Sequence, residues 1–154
     1  MINEIEIMRA LDHINVIKLY EVYETDNSLY MVLELLKGGN LVDYLKNHGK
    51  FNEKEAATFI RAILKAVGHS HENEVMHRDL KPENILFRTN EMSEENICIA
   101  DFGLATFLNV DEYLFSRCGT PGFVAPEVVN LKDTKVKYNP ICDEFSVGII
   151  FHIL

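Results

Sequence analysis

Between residues 68 and 135 the sequence shows almost no helical or strand periodicity, broken only by two short apolar runs, Ile85–Phe87 and 97–100. A compact domain rarely carries a structureless stretch of that length unless the stretch has a function, since loop backbone must be held by a rigid frame or left to solvent. The flanking segments must supply the frame. Apolar Ile2, Ile5, Met8 and Leu11 recur at helical spacing and predict an amphipathic helix over residues 1–12, with no strand before it. Residues 16–23 read as a strand, 25–28 as a turn and 29–35 as a buried, nearly continuous strand, together a hairpin.

Gly38-Gly39 reads as a linker, after which Asn40 can cap a short helix over 41–46 that His48-Gly49 ends. Asn52 with Glu55 resembles a capping box. Ala56, Phe59, Ile60, Ile63, Leu64 and Val67 then give a second helix its 3.6-residue apolar face. Beyond the long loop, residues 142–154 are apolar nearly all round, which predicts a helix buried on every side. Residues 91–95 are a polar, acidic turn, and no internal repeat or low-complexity segment is visible.

With 154 residues, 47% of them apolar, a compact chain of this length buries roughly 70% of its unfolded surface. One domain, or part of one, is expected. The formal charge of -9 argues against nucleic acid or an anionic membrane as partner and favours a basic peptide. The 3 cysteines, Cys98, Cys118 and Cys142, lack the spacing of a zinc site or a disulfide framework, which points to a reducing cytoplasm or nucleus. The N-terminus lacks the basic flank and apolar run of a signal peptide, and the apolar stretch 145–154 is about half of what a bilayer requires. Cys118 reads as a small packed residue. His69, His71 and His77 have no carboxylate at helical ligand spacing and read as structural or surface histidines.

The chemistry sits in the long loop. Phosphoryl transfer needs a carboxylate to orient and deprotonate the acceptor hydroxyl, a cation for the transferring oxygens and hard oxygen ligands for magnesium. In the run His77-Arg78-Asp79-Leu80-Lys81-Pro82-Glu83-Asn84, Asp79 has the place of the base, Lys81 can point the same way, and Asn84 offers an amide oxygen; Asp101 adds a carboxylate directly after a strand.

That run, followed by Asp101-Phe102-Gly103 and Ala125-Pro126-Glu127, resembles the signature set of eukaryotic protein kinases in order. Lys81 together with the run from Gly119-Thr120-Pro121 to Glu127 is similar to the serine/threonine branch, and most similar to the calcium/calmodulin-dependent group. The resemblance covers essentially the whole chain, from the family's C helix to the middle of its F helix. It implies an α+β, two-lobe fold, incomplete here: residues 1–36 as a small-lobe remnant and hinge, and 37–154 as the first part of the mainly helical large lobe, with the catalytic loop at 75–84 and the activation segment at 101–127.

The same resemblance implies ATP and magnesium as cofactors and a protein or peptide substrate, possibly basic. It makes Asp79 the base, with Lys81, Asn84 and Thr120 beside it, and Asn84 and Asp101 the metal ligands. Leu33 matches the gatekeeper, Glu34 and Leu36 belong to the hinge whose backbone meets adenine, and Leu86 lies at the nucleotide. Glu83 matches a reader of an upstream basic residue, and Asn40 departs from the glutamate usual after the double glycine. Glu4 matches the partner of the ATP-binding lysine, Ser116 a phosphorylated residue, and Arg78 its partner. Met8, Leu19, His77 and Phe102 match the apolar spine between the lobes, and Asp143 the aspartate that holds the catalytic-loop backbone.

The family's glycine-rich loop and strand lysine do not appear in residues 1–154. An isolated chain without these phosphate clamps is expected to lose most of the rate, because kinase catalysis is chiefly positioning and electrostatics. Its hairpin is expected to leave an open edge. Glu127 is expected to be a buried carboxylate without its arginine, which is costly. A catalytically silent, pseudokinase-like interaction module and a truncated gene fragment are the alternative expectations.

Overall fold

The computed structural model describes residues 2–133 and 136–154, so Met1, at the start of the expected first helix, and Thr134 and Lys135, at the end of the expected loop, lie outside the described residues. The first helix, α1, covers Ile2–Ala10, and an antiparallel hairpin follows, β1 (Leu19–Thr25) and β2 (Ser28–Leu33), with Thr25 opposite Ser28 across the Asp26-Asn27 turn. These elements form the small lobe.

The large lobe opens with α2 (Leu41–His48), whose Asn40 cap accepts the Asp43 N–H, and α3 (Glu53–Glu72). The Asn52–Glu55 capping box is complete, each side chain taking the other's backbone N–H, at 3.0 and 2.9 Å. The helix continues through Gly68 to Glu72, beyond the point where the loop was expected to begin. There Ser70 faces the core and holds the Ala66 carbonyl. Leu64 is exposed rather than part of the apolar face, while Ala62 and Ala66 are buried in it.

The expected loop is pinned by short pairings that periodicity cannot show. A two-residue strand, β3 (Val75–Met76), pairs with β6 (Thr106–Phe107), while β4 (Ile85–Phe87) pairs with β5 (Ile97–Ile99). A short helix, α4 (Pro126–Val129), precedes α5 (Ile141–Ile153). Among the described residues no helix is long and apolar enough to cross a membrane.

Three sequence expectations change. The strand expected at 29–35 is not buried: Tyr30 and Leu35 are 57% and 75% exposed, and the strand ends at Leu33. Nor is α5 buried all round. Ile141 and Phe151 face outward, while the inward face carries Asp143 and Ser146, because that face meets a loop whose backbone needs hydrogen-bond partners. Glu127 is exposed, so the expected cost of a buried carboxylate does not arise.

One core runs through both lobes, joining Ile7 and Met8 of α1 and the following Leu11 to Phe59, Ile63 and Phe87 of the large lobe. The 11–18 segment is stitched to β5: Ile17 N–H donates to Ile99 O at 2.9 Å, Ile99 N–H to Asn15 O at 2.8 Å, and the buried Asn15 amide donates to Glu94 O and Ile97 O. Gly38 lies so close to the 87–89 backbone that an added Cβ would collide with Thr89 O and Phe87 Cβ. Gly38 is therefore a packing position as well as a linker. Gly38→Ala is expected to lower unfolding free energy by about 1–3 kcal/mol, read by chemical denaturation.

The joint between the lobes also contains two stacked imidazoles, His13 and His69, with centroids 5.1 Å apart. His13 Nδ1 accepts the Asn15 N–H, and His69 Nε2 accepts from the Asn73 amide, so both rings are neutral in this arrangement. Burial, then His69, then Lys65 hold the His13 pKa below its ordinary 6.5. The unfolded chain therefore takes up this proton more readily than the folded one. The contribution is intact above about pH 6.5 and is lost as pH falls below it. The unfolding midpoint is expected to drop between about pH 7 and pH 5, and less steeply in His13→Asn, which keeps an acceptor for Asn15 but does not titrate. Equal slopes for the two proteins count against this account.

Candidate active site

The loop between β3 and β4 is anchored from α5. Asp143, 1% exposed, accepts the His77 N–H on Oδ2 and the Arg78 N–H on Oδ1, both at 2.8 Å, and His71 Nε2 lies 3.0 Å from Oδ2. Arg78 is thereby held at φ 67, a left-handed conformation that costs a non-glycine residue roughly 1–2 kcal/mol. Gly119 completes the corner: at φ 112 it packs so closely on Arg78 O that a Cβ there would sit 2.8 Å from that oxygen.

His77 settles the next link. Its Nε2 donates to Ala100 O at 3.1 Å, which leaves Nδ1 to accept the Asp79 N–H at 3.3 Å, and its ring packs on Phe102 with centroids 4.8 Å apart. His77 and Phe102 are both buried, as is Met8 of α1, and Leu19 packs half-buried against the same core.

Asp79 is consequently fixed at both ends. Oδ1 accepts the Thr120 hydroxyl at 2.6 Å; Oδ2 accepts Lys81 Nζ at 2.8 Å and the Asn84 amide at 3.4 Å. Lys81 also reaches Thr120 Oγ1 at 3.0 Å. The hydrogen bond to Asp79 raises the Lys81 pKa against an opposing, smaller desolvation, and the charges of Asp79, Asp101 and Glu83 add to the rise. Lys81 is thus a firm cation beside a carboxylate that retains lone pairs for one more hydroxyl. The Asn84 amide also donates to Asp79 O at 2.9 Å, so its carbonyl oxygen, which meets no donor among the described residues, is the end left over.

Asp101 is exposed at φ 61, with Oδ1 accepting only the Gly103 N–H at 3.3 Å. The Asn84 amide oxygen and the Asp101 carboxylate are hard oxygen donors uncommitted to cationic side chains, a donor set that suits magnesium. Asp79, Lys81, Asn84 and Thr120 therefore form one bonded cluster, and the charges of Asp101 and Glu83 act on its lysine. Glu4 is half-buried on α1 and makes no hydrogen bond or ion pair among the described residues. Leu33 ends β2, Leu36 packs half-buried on the core, and Leu86 is half-buried in β4 beside Asn40.

Ser116 is half-buried next to Phe115, whose carbonyl accepts Arg78 Nη1 at 2.6 Å. Arg78 also donates to Leu104 O and the Tyr138 hydroxyl and lies over the Tyr113 ring. Cys118 sits 3.7 Å from the Tyr138 hydroxyl, and burial pushes the Cys98 thiol up to about 12. Sequence reasoning read His71 as structural or surface without foreseeing its contact with Asp143, and missed Asn3, which ties α1 to Ala105 O at 2.9 Å. It also missed Arg88, bonded to Glu34. None carries a local signal: each partner lies far along the chain.

The fold is thus two-lobed, with a loop carboxylate held between a lysine, a threonine and an asparagine. The protein kinase domain family matches residues 1–154, and the chain belongs to that family. Two proteins of Dictyostelium discoideum, each described as a probable myosin light chain kinase, are 45% and 44% identical to it over 100% and 98% of the chain. The calcium/calmodulin-dependent protein kinase type 1 of Caenorhabditis elegans is 41% identical over 99%. The chain spans 48%, 38% and 42% of the lengths of these relatives, less than half of each.

Proposed function

We propose that the protein transfers the γ-phosphate of ATP to serine or threonine hydroxyls of a protein substrate. The observation that carries the reading is the Asp79 carboxylate, clamped at 2.6 Å by Thr120 and 2.8 Å by Lys81. In this reading Asp79 accepts a hydrogen bond from the acceptor hydroxyl, orients it and takes its proton as the new O–P bond forms and the bond from the γ-phosphorus to the β–γ bridging oxygen breaks, with ADP leaving. Lys81 faces the negative charge of the transferring group, and Thr120 keeps the carboxylate from rotating.

Asn84 Oδ1 and Asp101 would hold magnesium, which when bound neutralises phosphate charge and orients the nucleotide. Leu33, Leu36 and Leu86 would border the adenine, with the backbone around Glu34 as its hydrogen-bonding edge. Glu4 would pair with a lysine of the family's nucleotide strand. Exposed Glu83 would favour a basic residue in the substrate, and Ser116 would be the site at which phosphorylation competes with carbonyl groups for Arg78.

The test is phosphate incorporation from magnesium-ATP into a basic serine- or threonine-containing peptide, against an Asp79→Asn control. Incorporation by the parent and not by the control supports the reading. Equal incorporation, or none by either, overturns it for this polypeptide.

A further inference from the structure

We infer that Arg88 is a positioning residue for the nucleotide-facing hinge, gripping both ends of the 34–37 segment from the large lobe. This rests on the proposed function, because it assigns a purpose to backbone that the reading places against adenine. The side chain forms a two-pronged pair with Glu34, Nε to Oε1 at 2.5 Å and Nη2 to Oε2 at 3.0 Å. The main chain of the same residue takes the other end: Lys37 N–H donates to Arg88 O at 3.2 Å, and Gly38 N–H to Phe87 O at 2.8 Å.

Arg88 is itself immobilised. Its N–H donates to Asn96 O at 2.8 Å, Nη1 donates to Glu95 O at 2.5 Å, and Nη2 lies 3.8 Å from Cys98 Sγ. Glu34 is likewise tied by its N–H to Lys18 O at 2.9 Å. Between the two grips, the N–H groups of Leu35 and Leu36 donate to no protein acceptor among the described residues. A short backbone stretch with free polar groups and braced ends is pre-organised for a ligand, since its ordering cost is met before binding. A planar guanidinium suits this task because its fork fixes the carboxylate in orientation as well as distance, which an ammonium cannot do.

Three variants test the inference: Arg88→Met, Arg88→Lys, which keeps the charge and loses the fork, and Glu34→Gln, which weakens the pair from the other side. Two quantities are read: amide hydrogen exchange at Glu34, Lys37 and Gly38, and affinity for the probe magnesium-ATP by calorimetry. All three variants are expected to exchange faster at these amides and to bind the probe about three- to tenfold more weakly, with the unfolding midpoint little changed. A merely structural surface pair would shift only the midpoint. Exchange in Arg88→Met and Glu34→Gln equal to the parent overturns the brace. Faster exchange with unchanged affinity overturns its link to the nucleotide. A parent that binds no magnesium-ATP overturns the proposed function and the ligand half of the inference together, while the exchange data still decide the brace.

Discussion

Asp143→Ala is expected to cost as much stability as emptying a large position of the core. Its carboxylate accepts two backbone N–H groups of the catalytic loop, those of His77 and Arg78, in a position 1% exposed. Removing it orphans both donors, at about 1–3 kcal/mol each, so the total is about 2–6 kcal/mol. That is a large part of the ~5–15 kcal/mol that holds a domain folded. The loss falls where Arg78 is already strained at φ 67, so the loop should relax as well as weaken. Denaturant midpoints should rank parent above Asp143→Asn above Asp143→Ala, because the carboxamide oxygen still accepts one of the two N–H groups while its NH2 faces the other. Hydrogen exchange at His77 and Arg78 should accelerate in the same order. Midpoints for Asp143→Ala within about 1 kcal/mol of the parent would show that these bonds are replaced by water at little cost.

Asp79→Asn is expected to have the largest effect on chemistry and a small one on stability. The amide keeps the shape of the carboxylate and an acceptor oxygen for Thr120, but it cannot take a proton and gives Lys81 no counter-charge. Loss of a positioned base typically removes about 10²–10⁴-fold in rate, so kcat should fall by that factor while affinity for magnesium-ATP changes little. The unfolding midpoint should move modestly, since the Asp79–Lys81 pair is partly open to solvent, with side chains 9% and 21% exposed. A parallel fall in nucleotide affinity would mean that Asp79 serves binding rather than proton transfer.

The legible part of the site is the part that is local. Residues 77–84 bring Asp79, Lys81 and Asn84 within one turn and a half of loop, so their mutual reach follows from chain geometry alone. Thr120 joins them from 41 residues away, and Asp143 reaches Arg78 across 65. Only the resemblance to a family pointed to those two residues. The resemblance placed Glu34 in the hinge, but nothing pointed to Arg88, 54 residues away from it. The fold divides in the same way. The Asn52–Glu55 box and the turn between β1 and β2 were readable because their signals lie within a few residues. The pairing of Val75–Met76 with Thr106–Phe107 was not, because two residues are too few to show a period.

By itself the sequence determined the longer helices and the hairpin, which chemical groups the loop carries and to which family the chain belongs. These depend on residue identity and on spacing along the backbone. Only the tertiary structure decided that Arg78 sits in a left-handed conformation, that His77 is neutral with its proton on Nε2, and that α5 turns Asp143 and Ser146 inward and its phenylalanines outward. It alone decided that Glu127 is solvated and that Arg88 bonds both Glu34 and Lys37. Each of these is set by groups distant in sequence competing for the same few buried donors and acceptors, and no periodicity along the chain records how that competition ends.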